Sequence, residues 1–139
     1  MFLNRPFRLR DVGWDSPSVA RLWRYHLHYF DWLSDDGIPS GEQRELIDRW
    51  IAGNPPPSSR RIGTGWEPYP LSLRIVNWIK WDLGMQRHGA PGLPDSATLS
   101  LATQTRQLAA RLEYHLLGNH LWANAKALVF AGVYFDGEE

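Results

Sequence analysis

The sequence predicts an all-α fold in which helical hairpins, about five helices in all, stack side by side. Apolar residues recur at three- and four-residue steps along most of the chain, and proline- and glycine-rich segments separate these stretches. No segment shows the strict alternation that predicts a strand. With 139 residues and a hydrophobic content of 43%, the chain has enough apolar material for the packed core of one domain.

An arm is predicted to precede the first helix. Residues 1–15 mix apolar side chains with arginines without a helical period, which favours an extended conformation. The helices are predicted within residues 16–135. Ser16 suits the N-cap of the first helix and Pro17 suits its first turn, after which apolar residues recur as far as Leu33.

A long loop separates the second and third predicted helices. Ser40 and Gln43 have the spacing of a capping box at the start of the second helix. The segment from Gly53 to Pro70 is rich in proline and glycine, and a loop of that length inside a compact domain is usually functional. Pro70 is expected to begin the third helix, because the first turn of a helix does not need the N–H group that proline lacks.

Two more helices are predicted in the rest of the chain. Asp95 or Ser96 can cap a helix that runs to Leu116, and Gly118 can end it. Asn119 can then cap the last helix. The third and last helices are apolar on nearly every side, so both are expected in the interior. The apolar surface of the last helix finds no partner in the sequence, which predicts association, further chain or poor solubility.

Composition excludes several classes of function. The 15 basic and 15 acidic side chains balance to a formal net charge of zero, so no nucleic-acid or membrane partner is predicted. The chain has no cysteine, which excludes disulfides, thiolate metal sites and a cysteine nucleophile. Neither a signal peptide nor a membrane-spanning segment is predicted, and the compartment stays open. Eight tryptophans suit either a helical core or stacking on sugar rings.

No metal site or cofactor is predicted from the histidines. His26 and His28 are two residues apart and face in different directions on a helix. His115 and His120 are separated by the predicted break between two helices. Neither pair therefore has the convergent spacing that a metal ion requires.

Three strings of the sequence combine aromatic residues with amide or titratable side chains. They are Leu-His-Tyr-Phe at 27–30, Gly-Trp-Glu-Pro-Tyr-Pro at 65–70 ahead of Arg74, and Gly-Asn-His-Leu-Trp-Ala-Asn-Ala-Lys-Ala-Leu at 118–128. Together they resemble the helical domain of the heparinase II/III-like polysaccharide lyases, a family that includes oligo-alginate lyases and heparin-sulfate lyases. The resemblance covers most of the chain, and the third string is its most specific part.

The resemblance implies that residues 1–139 form part of one (α/α) toroid, which in the family is followed by a β-sandwich domain absent here. It also implies β-elimination in a uronic-acid-containing polysaccharide, by bacterial enzymes that are often periplasmic and in some cases cytoplasmic. That reaction removes the C5 proton beside a carboxylate, so it needs a group that neutralises the carboxylate, a base, and a proton donor for the leaving O4. The implied partner is an acidic polysaccharide or oligosaccharide, and no cofactor is implied.

Roles for individual residues follow from the resemblance. Asn119 would donate its side-chain amide to the uronate carboxylate, and His120 would act as the base or as a second stabiliser of the developing charge. The other matching residues would bind the substrate or support the residues that do: Arg74, Trp66, Tyr69, Glu67, His28 and Asn124.

The match is incomplete. The family's catalytic tyrosine and second histidine lie farther along than Glu139, and none of the five tyrosines present matches that position. The resemblance therefore implies a fragment that is inactive without the missing remainder of the same enzyme. Two alternatives stay open: a non-catalytic helical module that binds acidic carbohydrate, and a structural remnant. Without the resemblance, Asn119 would be read as an N-cap and His120 as an ordinary residue of the first turn.

Overall fold

The computed structural model describes residues 9–58, 62–114 and 118–136. Within them are six α-helices: α1 (Leu9–Val12), α2 (Arg21–Tyr29), α3 (Ser40–Gly53), α4 (Pro68–Arg87), α5 (Asp95–Ala109) and α6 (Asn119–Asp136). Two short 3-10 helices, Asp31–Ser34 and Thr64–Trp66, precede α3 and α4. The described residues include no strand, so the predicted all-α class is confirmed. The first eight residues, His115 and Leu116 lie outside the described residues.

Helix α4 is the centre of the fold. It begins at Pro68, two residues before the predicted start, and the prolines of its first turn lack only N–H groups that a helix leaves unpaired. The expected interior position is confirmed for this helix. Its buried residues are Pro70, Leu71, Ser72, Arg74, Ile75, Val76, Trp78, Ile79, Trp81 and Asp82.

Helix α3 runs antiparallel to α4 and packs against it through tryptophans. The rings of Trp50 and Trp78 meet edge to face with 5.6 Å between their centroids, and Trp81 donates its indole N–H to Gln43 at 2.7 Å. Across these two contacts, residue numbers rise along one helix as they fall along the other. Trp50 and Trp78 are fully buried, which places these two rings in the core rather than at a ligand.

Helix α5 is also antiparallel to α4. Arg74, in the first half of α4, donates through Nε to Gln104, near the end of α5, at 2.8 Å. Asp82, in the second half of α4, accepts a hydrogen bond from the N–H of Leu93, just before α5. Both contacts join polar groups that would otherwise be buried without partners.

Helix α6 runs parallel to α4 in constant register. Asn124 Nδ2 lies 3.4 Å from Ser72 Oγ, and Tyr134 donates its hydroxyl to Asp82 Oδ2 at 2.7 Å. Each of these pairs is 52 residues apart. An equal offset at both ends means that α4 and α6 lie side by side with their amino ends together.

The first predicted helix is shorter than expected at both ends. Helix α2 begins at Arg21, because the residues before it form a turn in which the N–H of Val19 donates to the carbonyl of Ser16 at 3.2 Å. It stops at Phe30, whose φ of 59° is left-handed. Phe30 is fully buried and its ring meets Trp78 edge to face at 5.4 Å, so packing offsets the strain of that conformation. The predicted continuation past this residue is wrong.

The described part of the amino-terminal arm is not extended throughout. Residues Leu9–Val12 form the single turn of α1. Its apolar side chains pack on a small core of their own, separate from the main one and made of Val19, Trp23 and Leu27.

The capping box predicted for α3 is not formed. The helix begins at Ser40 as expected, but no side chain caps its first turn. Gln43 is buried instead, where its amide donates to the carbonyl of Leu33 at 3.0 Å while its oxygen accepts from Trp81. Gln43 therefore ties the first 3-10 helix to α4, and a tertiary contact has replaced the local one.

The predicted end of α5 is also wrong. The helix stops at Ala109, well before Leu116. The chain then turns so that the N–H of Glu113 donates to Asn124 Oδ1 in α6 at 3.0 Å. A hydrogen bond between residues distant in sequence competes here with continuation of the helix.

Asn119 is the first helical residue of α6 rather than its cap. The N–H of Trp122 donates to the carbonyl of Gly118 at 3.1 Å, which makes Gly118 the N-cap. Gly118 has a φ of 103°, a backbone conformation that residues with a Cβ atom rarely adopt. The Asn119 side chain is therefore left free to face outward.

The expectation that α6 lies in the interior is wrong for this chain. Only Asn124, Ala127 and Ala131 of α6 are buried. Trp122 and Val133 are 75% and 72% exposed, so the unpaired apolar surface that the sequence predicts is present on this helix. No helix in the described residues is long and apolar enough to cross a membrane.

Candidate functional site

A groove of about 290 Å³ runs between the first two-thirds of α4 and the amino-terminal half of α6. From α4, it is lined by residues that recur every three or four positions: Tyr69, Ser72, Leu73, Val76, Asn77 and Lys80. From α6, it is lined by Asn119, Trp122, Ala123 and Lys126. None of these described residues is acidic and two are lysines, so the groove favours a negatively charged ligand.

Asn119 lies at the amino end of this groove. Its side chain is exposed, and it belongs to the first turn of α6, where backbone N–H groups have no partner within the helix. The positive end of the helix dipole adds to the field of the two lysines. The position therefore suits a carboxylate.

His120 lies beside the groove in a fixed orientation. Its ring stacks on Tyr69 with 4.2 Å between the centroids and 25° between the planes. Its Nδ1 lies 3.2 and 3.3 Å from the two carboxylate oxygens of Glu113. When Nδ1 carries the proton, its N–H donates a hydrogen bond to Glu113. Nε2 is then unprotonated and can accept a proton.

Asn124 holds this arrangement in place from below. It is fully buried, and its Oδ1 accepts the N–H of Glu113 at 3.0 Å. Its Nδ2 lies 3.4 Å from each of three oxygens, Glu113 Oε2, the Pro68 carbonyl and Ser72 Oγ. One amide thus joins α6, the segment before it and α4, and so fixes where Glu113 can reach His120.

Arg74 does not line the groove, because its side chain is completely buried. Besides its bond to Gln104, it donates through Nη1 to the His28 carbonyl at 3.3 Å, and its guanidinium lies 3.8 Å from the centroid of the Trp50 ring. Burial lowers the pKa of Arg74 well below its usual value. Arg74 therefore connects α2, α3, α4 and α5 in the core under the groove.

His28 and Trp66 are buried in the same core. His28 Nδ1 accepts the indole N–H of Trp50 at 2.9 Å, and Trp66 donates its own indole N–H to the Asn54 carbonyl at 3.2 Å. Burial, with the nearby charge of Arg74, lowers the pKa of His28 to about 3, so its imidazole is neutral near pH 7. These two residues support the site from within rather than touching a ligand in the groove.

Glu67 lies at a different cavity. It is the residue before α4, and its Oε2 accepts hydrogen bonds from Arg21 and from the hydroxyl of Tyr25. Burial, and then the bond to Glu67, raise the pKa of Tyr25. Glu67 and Arg21 both line this cavity, which also includes Asp15 and Thr64.

The structure thus divides the residues predicted from the resemblance into two sets. Asn119, His120 and Tyr69 come together at the groove, with Asn124 directly behind them. The others lie in the core or at the second cavity: Arg74, Trp66, His28 and Glu67.

Sequence reasoning missed several residues of the groove. They are Asn77, Lys80, Trp122 and Lys126; Glu113, which contacts His120 but does not line the groove, was also missed. The sequence offers one signal, because the spacing of Tyr69, Leu73, Asn77 and Lys80 follows one face of a helix. In the structure these four are the only residues from Tyr69 to Lys80 that are not buried. The described residues contain no group of three or more histidine, aspartate or glutamate side chains able to hold a metal ion.

Comparisons of the chain with protein-family models, with curated proteins and with solved structures return no match. The functional argument therefore rests on the groove itself. Its chemistry combines an amide at a helix amino end, an oriented imidazole, an aromatic face and two ammonium groups. Such a set can bind an acidic, ring-shaped ligand and accept a proton from it.

Proposed function

We propose that this groove is the uronate-binding part of a polysaccharide lyase site, in which an acidic sugar is cleaved by β-elimination. The observation that carries the proposal is that Asn119 lines a groove with two lysines and no described acidic residue, while His120 stacks on Tyr69 in the wall of that groove. This is the chemistry that the resemblance to heparinase II/III-like lyases implies.

In the proposed reaction, Asn119 stabilises the carboxylate of the sugar. Removal of the C5 proton moves negative charge onto that carboxylate, so a donor that already points at it lowers the barrier. The side-chain amide of Asn119 and the unpaired N–H groups of the first turn of α6 supply such donors.

His120 is the proposed base. Its Nε2 takes the C5 proton, the electron pair of the C5–H bond forms the C4–C5 double bond, and the C4–O4 bond breaks. Glu113 acts as a positioning residue, because its contact with Nδ1 keeps the basic nitrogen on the other side of the ring. The stacked Tyr69 ring limits rotation of the imidazole.

The leaving O4 still needs a proton. In the resembled family a tyrosine supplies it, and no tyrosine of this chain matches that position. We therefore propose that the groove binds an acidic glycan, and that turnover requires a proton donor for O4 in addition to Asn119 and His120. Tyr69 is the tyrosine that lines the groove, and it is the internal candidate if the unaided chain proves active.

The arrangement of the helices supports a partial (α/α) toroid. Helix α3 leads into α4 and contacts it through Gln43 and Trp81, α5 leads into α6, and the second helices of the two pairs are parallel. Successive hairpins of a toroid have this relation, with parallel inner helices. The groove would then face the inner side, where a polysaccharide lies.

A non-catalytic carbohydrate-binding module is the second candidate. The observation that favours it is the exposed Trp122 at the edge of the groove, since an exposed indole offers a flat face to a sugar ring. Both candidates predict binding of acidic oligosaccharides by the chain alone. They differ in whether His120 matters beyond binding.

Calorimetric titration of the chain with uronic-acid oligosaccharides tests the claim that both candidates share, which is that the chain alone binds an acidic oligosaccharide. We expect binding that is lost in Asn119→Asp, because the substitution keeps the shape but places a negative charge against the ligand. Equal affinity of Asn119→Asp and the unaltered chain would contradict the proposal. If the chain forms unsaturated uronide, His120→Gln should abolish its formation while binding persists, and an unchanged rate would contradict the role of His120 as the base; binding without any product would favour the binding module.

A further inference from the structure

We infer that α6 forms the interface of a dimer, in which its exposed face packs on the same face of a second copy of the chain. The two copies of the helix are antiparallel and cross at Val129. The inference does not depend on the proposed function, because it concerns the apolar surface of α6 rather than the amide and imidazole beside the groove.

The exposed face of α6 is continuous along the helix. From Trp122 onward, the exposed residues of α6 recur at steps of three or four, on the side opposite the buried Ala127 and Ala131. Trp122, Val129 and Val133 are the large apolar side chains on this face, and all three are exposed. An apolar surface that extends along a helix in this way is typical of a contact with another protein surface.

The spacing of the exposed face is symmetric about Val129. Six further exposed positions lie in pairs at equal distances before and after it: Trp122 and Asp136 at seven residues, Ala125 and Val133 at four, and Lys126 and Gly132 at three. A two-fold axis at Val129 would therefore bring each of these positions to the level of another exposed position of the second copy. An interface between identical copies needs such a self-complementary surface.

Side-chain size also fits the antiparallel arrangement. On one side of the axis, Ala125 comes next to Gly132 of the second copy, and two small residues allow the helices to approach closely. A Cβ atom at Gly132 would have no neighbour within 4 Å, so the space beside it is open in the single chain. Glycine disfavours a helix, and the close approach of a second backbone gives it a role at this position. On the other side of the axis, the stem of Lys126 lies along Val133 of the second copy.

Charge selects the antiparallel orientation over the parallel one. Lys126 and Asp136 are the two charged residues of the exposed face, and neither forms an ion pair within the described part of the chain. In the antiparallel dimer, Asp136 of the second copy is one helical turn, about 5–6 Å, along the axis from the level of Lys126, which a lysine side chain can span. Parallel helices would instead place like charges together.

The contact between two single helices is small, so we expect a weak dimer that depends on concentration. Trp122 and Lys126 also line the groove, and the dimer therefore covers one edge of it. In dilute solution the dimer dissociates and leaves the groove open to its ligand.

Disulfide trapping in the full chain tests the geometry, because the sequence contains no cysteine. Val129→Cys should form a linked dimer under mild oxidation. Ala125→Cys and Gly132→Cys should link to each other when mixed, but neither should link to itself, since like positions lie about 9–12 Å apart along the axis. Arg49→Cys, at an exposed position of α3, is the control and should stay unlinked. Linkage of Ala125→Cys to itself, or equal linkage of Arg49→Cys, would overturn the inference.

Sedimentation equilibrium tests whether a second copy is the occupant of this face. We expect a monomer–dimer equilibrium that Lys126→Glu and Asp136→Lys each weaken by about three- to tenfold, because symmetry affects two ion pairs at once. The two substitutions together should restore dimerisation, and Arg49→Glu should leave it unchanged. A chain that stays monomeric, or that forms larger species without a dimer, would overturn the inference and assign the face to a different partner. Failure of the double variant to recover the dimer would contradict the antiparallel pairing.

Discussion

The two ends of the α4–α6 pair carry opposite chemistry although one register joins them. At the amino ends, the helices are linked through Asn124 and border a cationic groove with an amide and an imidazole. At the carboxyl ends, they are linked through Tyr134 and border a cavity of about 410 Å³ lined almost entirely by apolar side chains: Ile79, Leu83, Gln86, Val129, Phe130, Val133 and Tyr134. The difference separates a surface suited to an acidic ligand from one suited to apolar contact.

What lies beneath the two ends also differs. The cationic groove rests on a core with buried polar groups, since Arg74, His28 and Gln104 are all fully buried. Buried polar groups are costly unless they are paired, so this core fixes a specific arrangement of α2, α3, α4 and α5. The apolar cavity is open to solvent instead, with Val129 66% exposed and Val133 72% exposed. The comparison therefore predicts a rigid structure at the amino ends of α4 and α6 and a tendency to self-associate at their carboxyl ends.

The largest expected effect is acid destabilisation of the core under the groove. His28 has a pKa of about 3 in the fold and about 6.5 when unfolded, so between these values the unfolded state binds more protons. The free energy of unfolding should fall as the pH drops below about 6.5, by up to about 1.4 kcal/mol per pH unit. Chemical denaturation at several pH values measures this slope.

His28→Gln provides the matched control for that slope. Without a titrating imidazole, the variant should be less stable at pH 7 but should lose less stability between pH 6.5 and pH 4.5. Parallel pH profiles for the two proteins would show that His28 is not protonated on unfolding in that range, and would contradict its neutral, buried state.

An intermediate effect is expected at the apolar end. Val133→Lys should reduce self-association or aggregation, because it places a charge in the exposed apolar surface of α6. Its effect on the free energy of unfolding should stay within about 0.5 kcal/mol, as is usual at exposed positions. Analytical ultracentrifugation and chemical denaturation measure the two quantities.

Oligosaccharide binding separates the two ends in that same variant. Affinity for alginate oligomers should be unchanged in Val133→Lys, since the residue lies outside the cationic groove. A clear change in affinity would show that the apolar end and the cationic groove are not independent, which would contradict the comparison.

The smallest expected effect concerns which ring nitrogen of His120 carries the proton. In the unaltered chain, Glu113 should hold neutral His120 in the form that carries its proton on Nδ1. Glu113→Gln keeps the size of the side chain but can also donate to Nδ1, so the proportion with the proton on Nε2 should rise. Long-range proton–nitrogen spectra of the imidazole report the two forms.

A merely structural role for Glu113 would not move that ratio. An unchanged ratio in Glu113→Gln, with an unchanged fold by circular dichroism, would remove Glu113 as the residue that orients the base. Glu113→Asp serves as the conservative variant, because it should restore part of the Nδ1 form.

The central position of α4 could be predicted from sequence, whereas the pattern of apolar residues did not indicate the chemistry of the one face that is not buried. A helix that has apolar residues on nearly every side is expected to be buried in the core, and prolines are compatible with its first turn. Asn77 and Lys80 do not alter the pattern of α4, because they are two polar residues among many apolar ones. These two residues line a groove only because α6 packs beside α4 and forms the second wall.

The wrong predictions share one physical cause, which is competition from contacts distant in sequence. Gln43 had the right spacing for a cap, but Trp81 and the Leu33 carbonyl bind it in the core. The segment after α5 had the right pattern for a helix, but Glu113 is held by Asn124. Arg74 matched a residue expected in the cleft, and the packing of four helices around it leaves it buried. Local patterns do not contain this information.

The central claim is that an acidic sugar binds at the amino ends of α4 and α6. Its most direct test is the nitrogen–proton spectrum of the labelled chain during titration with an alginate oligosaccharide. We predict that the largest shifts occur at the Asn119 side-chain amide, at the His120 ring and at backbone amides near Trp122, with none near Val129 and Val133. Shifts centred on the apolar end, or spread evenly over the chain, would contradict the claim.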